Sequence, residues 1–275
     1  MRNVLNNLER CSRALTRQPR AELSRPPLSA FAAMLVLLAV AVASMFLLDA
    51  AASDWAAQRL PQWFRDIFEQ ITNFGLSGWF LVPFGVILLA LAAAISPKVS
   101  RSAQGALTVL GAHVGFLFLA IAVPGLFVTI VKRLIGRARP FVGGGRDDPF
   151  VYWPLAWRPE YAAMPSGHAT TAAAAAIAIG AIWPRLRAPM WLYAAIIMFS
   201  RVVVVAHHPS DVIAGALTGA AGAYLVRRWF AARRLVFAAR SLRAFPGPSW
   251  RRIRSALGEV FFGKSRPIER ARDAL

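Results

Sequence analysis

Two adjacent histidines and a carboxylate, His207, His208 and Asp211, are the residues of this sequence best suited to chemistry. An imidazole can act as a base or a nucleophile near neutral pH, and a carboxylate on one ring N–H fixes the tautomer that leaves the other nitrogen free. Pro209 disfavours helix at His208, so we expect the preceding helix to break there. His207 can then turn back over Arg201, and Asp211 falls in the first turn of the next helix.

Simpler interpretations exist for two of these residues. A carboxylate in a first helical turn complements the helix dipole, which alone would explain Asp211. An arginine within an apolar stretch is often one half of an interior ion pair, which would explain Arg201.

A cluster of cations occupies residues 132–140. If the helix continues through it, a turn of about 3.6 residues brings Lys132 and Arg139 to nearly the same face. Pro140 disfavours helix at Arg139, so we expect the chain to turn there and the guanidinium to swing inward. Arginine suits bidentate contacts to phosphate and lysine adds a compact charge, although a basic anchor at a membrane edge is the alternative.

A third cluster, residues 164–168, directly precedes an apolar stretch. The start of a helix there presents unpaired N–H groups and a positive dipole end to an anion, with donors from Ser166 and His168. Gly167 lets that anion approach the backbone closely. The alternative is an ordinary serine cap with an interfacial histidine.

The composition indicates that these clusters belong to a membrane protein. Hydrophobic residues make up 57% of the 275 residues, and the mean hydropathy is +0.49. The net charge of +19 suits membrane phosphate better than nucleic acid, because the basic residues lie beside apolar stretches. The single cysteine, Cys11, excludes an internal disulfide and a thiolate metal site.

Six apolar stretches are long enough, or nearly so, to cross a bilayer as helices. They are residues 28–48, 77–95, 106–131, 169–183, 189–206 and 212–230. Residues 61–74 predict an amphipathic helix at the outer interface, which either seals the bundle or serves lipid entry. We therefore predict an all-α membrane protein with six transmembrane helices and one interfacial amphipathic helix. The first stretch is too long for the core of a signal peptide, so we expect a retained anchor.

Positive residues indicate the orientation, because Lys and Arg stay on the cytoplasmic side. The N-terminal tail holds six arginines, and the chain from Arg227 onward holds 13 Lys and Arg residues. With six spans, both tails lie on the cytoplasmic side of the cytoplasmic membrane. We expect a cytoplasmic basic tail (1–27), a membrane domain (28–230) and a basic amphipathic cytoplasmic tail (231–275) that contacts anionic lipids.

The connection between spans three and four violates this rule. It lies outside by parity, yet it holds six cations: Lys132, Arg133, Arg137, Arg139, Arg146 and Arg158. Binding an anion is the simplest task for them. All three clusters fall on this outer face, and together they supply what phosphoryl transfer needs: cations, a nucleophile with an orienting carboxylate, and an acid.

In order and spacing, the clusters resemble the three-part signature of the type 2 phosphatidic acid phosphatase superfamily, which contains lipid phosphate phosphatases and haloperoxidases. The parts are Lys-x6-Arg-Pro at 132–140, Pro-Ser-Gly-His at 165–168 and Ser-Arg-x5-His-x3-Asp at 200–211. The six-span outline extends the resemblance over residues 28–230.

The resemblance implies a membrane lipid phosphatase that works through a phosphohistidine on the outer face and needs no metal or other cofactor. His207 would be the nucleophile, Asp211 would orient it, and His168 would protonate the leaving oxygen. The residues expected to hold the phosphoryl oxygens are Lys132, Arg139, Ser166, Gly167 and Arg201. The candidate substrates are phosphatidic acid, phosphatidylglycerol phosphate, undecaprenyl pyrophosphate and lipid A phosphate.

Other functions and residues stay open at this point. A lipid phosphotransferase, a vanadate-dependent haloperoxidase and a non-catalytic lipid transporter are the alternatives. The spacing selects His207 over its neighbour His208, to which we assign no role. We expect His113 to be a packed, hydrogen-bonded residue, and Asp147 and Asp148 to be solvated.

Overall fold

The computed structural model describes residues 2–23, 26, 28–142, 144 and 147–262, and its regular secondary structure there is helical. Their α-helices are α1 (Arg2–Thr16), α2 (Leu28–Leu47), α3 (Asp49–Arg59), α4 (Gln62–Asn73), α5 (Gly78–Ala94), α6 (Arg101–Ile135), α7 (Gly167–Ile182), α8 (Arg187–Val203), α9 (Pro209–Ala232) and α10 (Trp250–Phe262). In this part of the chain, extended pairing is limited to isolated bridges at Arg137–Tyr152 and Phe237–Ala244. The all-α prediction is confirmed.

Helices α2, α5, α6, α7, α8 and α9 lie where the six spans were predicted. By length and composition, three stretches of the described chain can cross a membrane, namely Gln62–Ala94, Arg101–Ile135 and Pro184–Val203. The bent pair Phe31–Leu47 and Asp49–Arg59 makes a fourth if it is counted as one span. Apolar helices of this length support a membrane protein, and the count of six stays a prediction.

Helix α7 is the centre of the bundle. Its alanines from Ala172 to Ala176 are fully buried, and the helix packs against α6, α8 and α9. A helix that is apolar on every side is stable only when other helices surround it. The alanine run, which is only mildly hydrophobic, therefore forms a core helix because its small side chains allow close packing.

Close approach between α7 and α9 depends on glycines. A Cβ added at Gly215 would collide with the backbone of Ser166, and one added at Gly219 would collide with the carbonyl of Thr170. The Thr170 hydroxyl in turn donates to the carbonyl oxygens of Ser166 (2.8 Å) and Gly215 (3.0 Å). This contact fixes the start of α7 against the start of α9.

The predicted amphipathic segment is helix α4, which packs along α8. The rings of Phe68 and Phe199 meet edge to face at 5.5 Å, and the Tyr193 hydroxyl donates to the Phe74 carbonyl at 2.8 Å. The contacts with α8 give α4 a packing role, and its exposed Trp63 keeps one side open to the surroundings.

The described parts of both tails contact the same end of the bundle. This end is opposite to the one at which α9 begins. The Asn7 amide of α1 donates to the Ala92 and Ile95 carbonyls at the end of α5. The Arg20 N–H donates to the Ala232 carbonyl at the end of α9. Beyond Phe230, Phe237 is buried against Phe116, with ring centroids 4.7 Å apart. The boundaries at residues 27 and 230 stay predictions, and residues 263–275 of the expected C-terminal tail lie outside the described residues.

Replacing Gly219 with alanine tests the close packing of α7 and α9. We expect Gly219→Ala to destabilise the protein by about 1–3 kcal/mol, because the colliding Thr170 carbonyl belongs to the backbone and cannot move aside. The matched control is Gly105→Ala in α6, where a Cβ meets open space and the helix gains stability. Thermal unfolding in detergent, followed by tryptophan fluorescence, measures both; equal melting temperatures would contradict the packing argument.

Candidate active site

The end of α6 aims the following loop into the bundle. Gly136 caps α6 in the left-handed conformation (φ 64°), and a side chain there would collide with the Trp153 carbonyl. The helix therefore ends four residues before Arg139, and the predicted common helical face for Lys132 and Arg139 is wrong. The two residues are nevertheless electrostatic neighbours, because the loop brings the Arg139 guanidinium back toward Lys132.

The start of α7 offers donors to a small anion. Ser166 occupies the N-cap position, but its hydroxyl makes no capping bond and is buried without a partner in the described part of the chain. Its N–H donates to the Asp211 carbonyl at 3.0 Å. A Cβ at Gly167 would meet open space. An anion can therefore approach Gly167 while it accepts from the Ser166 hydroxyl.

The turn between α8 and α9 reverses the chain over Arg201. Val205 adopts the left-handed conformation (φ 53°), which is uncommon for a β-branched residue. The N–H groups of Ala206 and His207 both donate to the Arg201 carbonyl, at 3.1 and 3.2 Å. The predicted return of His207 over Arg201 is thus present, although α8 ends at Val203, before the proline.

Asp211 lies between the two histidines in the first turn of α9. Its Oδ2 accepts from the His208 N–H at 3.0 Å and lies 3.6 Å from His207 Nδ1, slightly beyond hydrogen-bond length. His207 is 4% exposed, and burial lowers its pKa to about 4 despite the nearby carboxylate. The imidazole is therefore neutral at physiological pH, as a nucleophile must be.

Arg137 joins Asp211 to a carboxylate far away in the sequence. Its side chain is fully buried and donates to Asp211 Oδ1 at 2.6 Å and to Asp49 Oδ2 at 2.7 Å. It also donates to the Ser210 hydroxyl (2.7 Å) and the Pro149 carbonyl (3.0 Å). Burial alone would lower the pKa of Arg137, but the two carboxylates raise it, so the guanidinium stays charged.

His208 is fully buried beside Asp147. Its Nε2 lies 3.1 Å from Asp147 Oδ2, and its Nδ1 lies 3.5 Å from Asp211 Oδ2. Burial would lower the pKa of His208, but the two carboxylates raise it to about 9. The predicted solvation of Asp147 is wrong, since this side chain is 5% exposed and lies under the loop, whereas Asp148 is exposed.

The remaining predicted site residues surround His168. This half-buried imidazole interacts electrostatically with Lys132, Arg139, Arg201 and His207. We call Lys132, Arg139 and Arg201 the cation cluster. Within the described residues, the Nε atoms of both arginines are buried without a hydrogen-bond partner, and Arg201 makes no ion pair but donates to the Thr72 hydroxyl at 2.6 Å. The interior-ion-pair interpretation of Arg201 is therefore wrong.

The sequence analysis missed several supporting residues. Asp49, Thr72 and Gly75 come from the first third of the chain, outside the three clusters. Gly75 leaves room for the His168 ring, since a Cβ there would lie 2.9 Å from its Cδ2. Asp49 had a signal, because it is a carboxylate directly after an apolar run. Arg137 lay within a recognised cation run without being singled out.

Two further predictions concern histidine and metal. His113 is buried in α6 and pairs with the carbonyls of Val109 (2.8 Å) and Phe245 (3.3 Å), as expected for a packed, hydrogen-bonded residue. Among the residues that the structure describes, no three His, Cys, Asp or Glu side chains are grouped so as to hold a metal ion. Arg146 of the outer loop lies outside the described residues.

A family comparison covers all three clusters. The model of the PAP2 superfamily matches residues 113–235. The chain is 33% identical over 222 residues to the lipid A 1-phosphatase of Rhizobium johnstonii, which covers 79% of this chain and 88% of that protein. It is 34% identical over 200 residues to the lipid A 1-phosphatase of Rhizobium etli, which covers 70% of this chain and 82% of that protein.

Solved structures give weaker likenesses. A PAP2-type phosphatidylglycerolphosphate phosphatase from Bacillus subtilis gives a TM-score of 0.49 at 23% identity, over 73% of this chain and 94% of that one. LpxE from Aquifex aeolicus gives 0.45 at 22% identity, over 65% of this chain and 94% of that one.

A helical membrane bundle with a buried neutral imidazole beside a cation cluster is typical of an enzyme for phosphoryl transfer. The sequence relatives then show that this chain belongs to the PAP2 superfamily. It is a phosphatase that acts on a membrane lipid phosphate.

Replacing Arg137 tests whether the site depends on the buried ion pairs. We expect Arg137→Met to cost about 3–5 kcal/mol, because it leaves the carboxylates of Asp49 and Asp211 buried without their cation. The control Arg185→Met removes an exposed arginine on the other side of the bundle and should leave stability unchanged. Thermal unfolding in detergent compares the two, and a melting temperature for Arg137→Met equal to that of the control would contradict the argument.

Proposed function

We propose that this enzyme hydrolyses lipid A 1-phosphate through a phosphohistidine at His207, on the outer face of the cytoplasmic membrane. The single observation that carries the mechanism is the buried, neutral His207, with Asp211 Oδ2 3.6 Å from its Nδ1 and with the charges of Arg201 and Arg139 acting on it. Two curated relatives at 33% and 34% identity, both lipid A 1-phosphatases, support the substrate.

The first chemical step forms the phosphohistidine. Asp211 Oδ2, which lies 3.6 Å from His207 Nδ1, favours the tautomer with the proton on Nδ1 and leaves the Nε2 lone pair free to attack phosphorus. The bond between phosphorus and the lipid oxygen breaks as the new N–P bond forms. Burial and the same cations lower the pKa of His168 to about 3, so the imidazole is neutral before the lipid binds. It takes up the proton of the arriving phosphate monoanion and donates that proton to the departing oxygen.

The second step releases phosphate. His168, now neutral, takes a proton from a water molecule as that water attacks phosphorus, and the N–P bond to His207 breaks. Inorganic phosphate leaves with that proton, which returns His168 to its neutral form. Both steps need the same arrangement of donors around the phosphoryl oxygens, which is why no residue has to move between them.

Five residues are proposed to hold the phosphoryl oxygens: Lys132, Arg139, Ser166, Gly167 and Arg201. The buried Ser166 hydroxyl and the two guanidinium Nε atoms without partners in the described structure are donors that an anion would satisfy. Gly167 contributes its N–H at the start of α7, where the dipole favours negative charge. These donors stabilise the charge that develops in the transition state, so the proposed reaction needs no metal ion.

The proposed six-span topology places this site outside. The loop after α6 and the starts of α7 and α9 meet at one end, whereas the end of α1 and the residues after it contact the end of α9 at the other end. The 24 residues of α9 span about 36 Å, enough to separate the two ends across a bilayer. The arginines of both tails then lie in the cytoplasm, as the positive-inside rule requires.

Phosphate release from a panel of lipids tests the mechanism and substrate. We expect the purified enzyme, with chelator present, to release phosphate fastest from lipid A, and His207→Gln to lose about 10³-fold or more. The panel includes phosphatidic acid, phosphatidylglycerol phosphate and undecaprenyl pyrophosphate. The control His113→Gln alters a buried histidine outside the site and should keep its activity.

Each departure from this result has its own meaning. A faster rate on another lipid would identify that lipid as the preferred substrate and would not affect the proposed mechanism. Activity in His207→Gln would overturn the mechanism. Loss of the lipid phosphate without free inorganic phosphate would indicate transfer to another lipid, which labelled product would show.

The single native cysteine offers a test of sidedness. Cys11 is exposed on α1, and Asp148 is exposed on the outer loop. In right-side-out spheroplasts, a membrane-impermeant maleimide should label Asp148→Cys in a Cys11→Ser background and should label Cys11 only after lysis. The Cys11→Ser protein without the Asp148→Cys substitution has no cysteine and serves as the negative control. Labelling of Cys11 before lysis would overturn the proposed topology.

A further inference from the structure

We propose that Asp147 and His208 are positioning residues of this active site, a buried pair that holds Asp211 and the phosphate-binding loop in one geometry. The inference rests on the proposed function, because it assumes that His207 and Asp211 carry the reaction. Neither residue is a defined position of the three sequence motifs, because His208 falls at a variable position of the third motif and Asp147 lies between the first and the second.

Asp147 accepts hydrogen bonds from two separate parts of the chain. Its Oδ2 lies 3.1 Å from His208 Nε2, and its Oδ1 accepts from the Phe141 N–H at 3.1 Å. Ser53, on α3, is a further polar neighbour that helps to lower the pKa of Asp147. At 5% exposure, Asp147 is almost shielded from solvent, so its geometry is set by these donors rather than by water.

His208 carries this constraint to Asp211. Its backbone N–H donates to Asp211 Oδ2 at 3.0 Å, and its ring Nδ1 lies 3.5 Å from the same oxygen. That oxygen is also the one beside His207 Nδ1, at 3.6 Å. The position of the His208 ring therefore decides where Oδ2 lies relative to the proposed nucleophile.

The charged groups that face His208 are Asp147 from the loop, Asp211 from α9 and Arg137 from the segment after α6. The two carboxylates outweigh the burial and the guanidinium, which raises the pKa of His208 to about 9. At neutral pH the ring is an imidazolium whose Nε2–H donates to Asp147 and whose Nδ1 lies 3.5 Å from Asp211 Oδ2. Its neighbour His207, with no second carboxylate, stays neutral in the same range.

Phe141 links Asp147 to phosphate binding. It adopts the left-handed conformation (φ 61°), and its N–H points to Asp147 Oδ1. A bulky residue rarely holds this conformation unless its surroundings fix it. Phe141 comes two residues after Arg139 of the cation cluster, so the Asp147 carboxylate also sets where that guanidinium lies.

The experiment compares Asp147→Asn and His208→Gln with the control Asp148→Asn, in full-length enzyme and detergent, on the most reactive lipid of the panel. Asp148 neighbours Asp147 in sequence but is exposed, and among the described residues it accepts only from the Phe150 N–H. His207→Gln is assayed in parallel. Thermal unfolding confirms that each variant is folded before its kinetics are compared.

We expect both variants to lower kcat by about 10-fold or more, as loss of an orienting partner does elsewhere. His208→Gln should leave KM unchanged, whereas Asp147→Asn should also raise KM because it releases Phe141. The pH profile separates positioning from packing. The active form has His208 protonated, and its proton is lost as the pH rises through its pKa. Removing the Asp147 charge lowers that pKa, so the alkaline limb of kcat should move to lower pH in Asp147→Asn alone.

Kinetics of both variants indistinguishable from those of Asp148→Asn would overturn the inference. If His207→Gln keeps activity, the proposed function fails instead. A measurement on the wild type decides the inference when a variant does not fold. Histidine ¹⁵N NMR of the four histidines should show His208 as an imidazolium at pH 7.5, and a neutral His208 there would overturn it.

Discussion

The arrangement of this site depends on one buried guanidinium. Arg137 donates to Asp49 at the bend between α2 and α3 and to Asp211 at the start of α9. A charged group without its partner costs several kcal/mol in such surroundings, so neither carboxylate can be buried until the loop after α6 is in place. The planar fork of arginine suits this task because it reaches two carboxylates at once, which the single ammonium of lysine does less well. Folding of the bundle and assembly of the site are therefore the same event.

Small residues make that assembly geometrically possible. Gly215 and Gly219 let α9 lie directly on the backbone of α7, which brings Ser166 and Asp211 within one backbone hydrogen bond of each other. Gly75 likewise leaves the space that the His168 ring occupies. Ser166, His168 and Asp211 are thus carried by the ends of rigid helices, which hold side chains more precisely than loops do, whereas Arg137, Arg139 and Asp147 come from the loop after α6.

Much of this architecture could be predicted from the sequence, because bilayer-length apolar runs and strong motifs are local signals. The six helices α2 and α5 to α9 fall within a few residues of the predicted spans. The end of α6 was misplaced because Gly136, a left-handed cap, ends the helix before Pro140 can. Asp49 and Asp147 were missed or misread for a different reason: a lone carboxylate reveals its partner only when the chain is folded, and both partners are distant in sequence. Apolar runs and motifs are visible in a short stretch of sequence, whereas a contact between distant residues is not.

The formal charges at this end of the molecule do not cancel. The buried network of Asp49, Asp147, Asp211, Arg137 and His208 has one negative charge in excess, and the cation cluster opposite it has three positive charges. The protein alone therefore carries an excess of two positive charges around His168. A phosphomonoester brings a charge of about −1.5 to −2 at neutral pH, which completes the balance. Inorganic phosphate carries a comparable charge, so the product satisfies the same electrostatic demand as the substrate. The cation cluster therefore holds the product as well as the substrate, and we expect release of phosphate, rather than the chemical steps, to limit the rate.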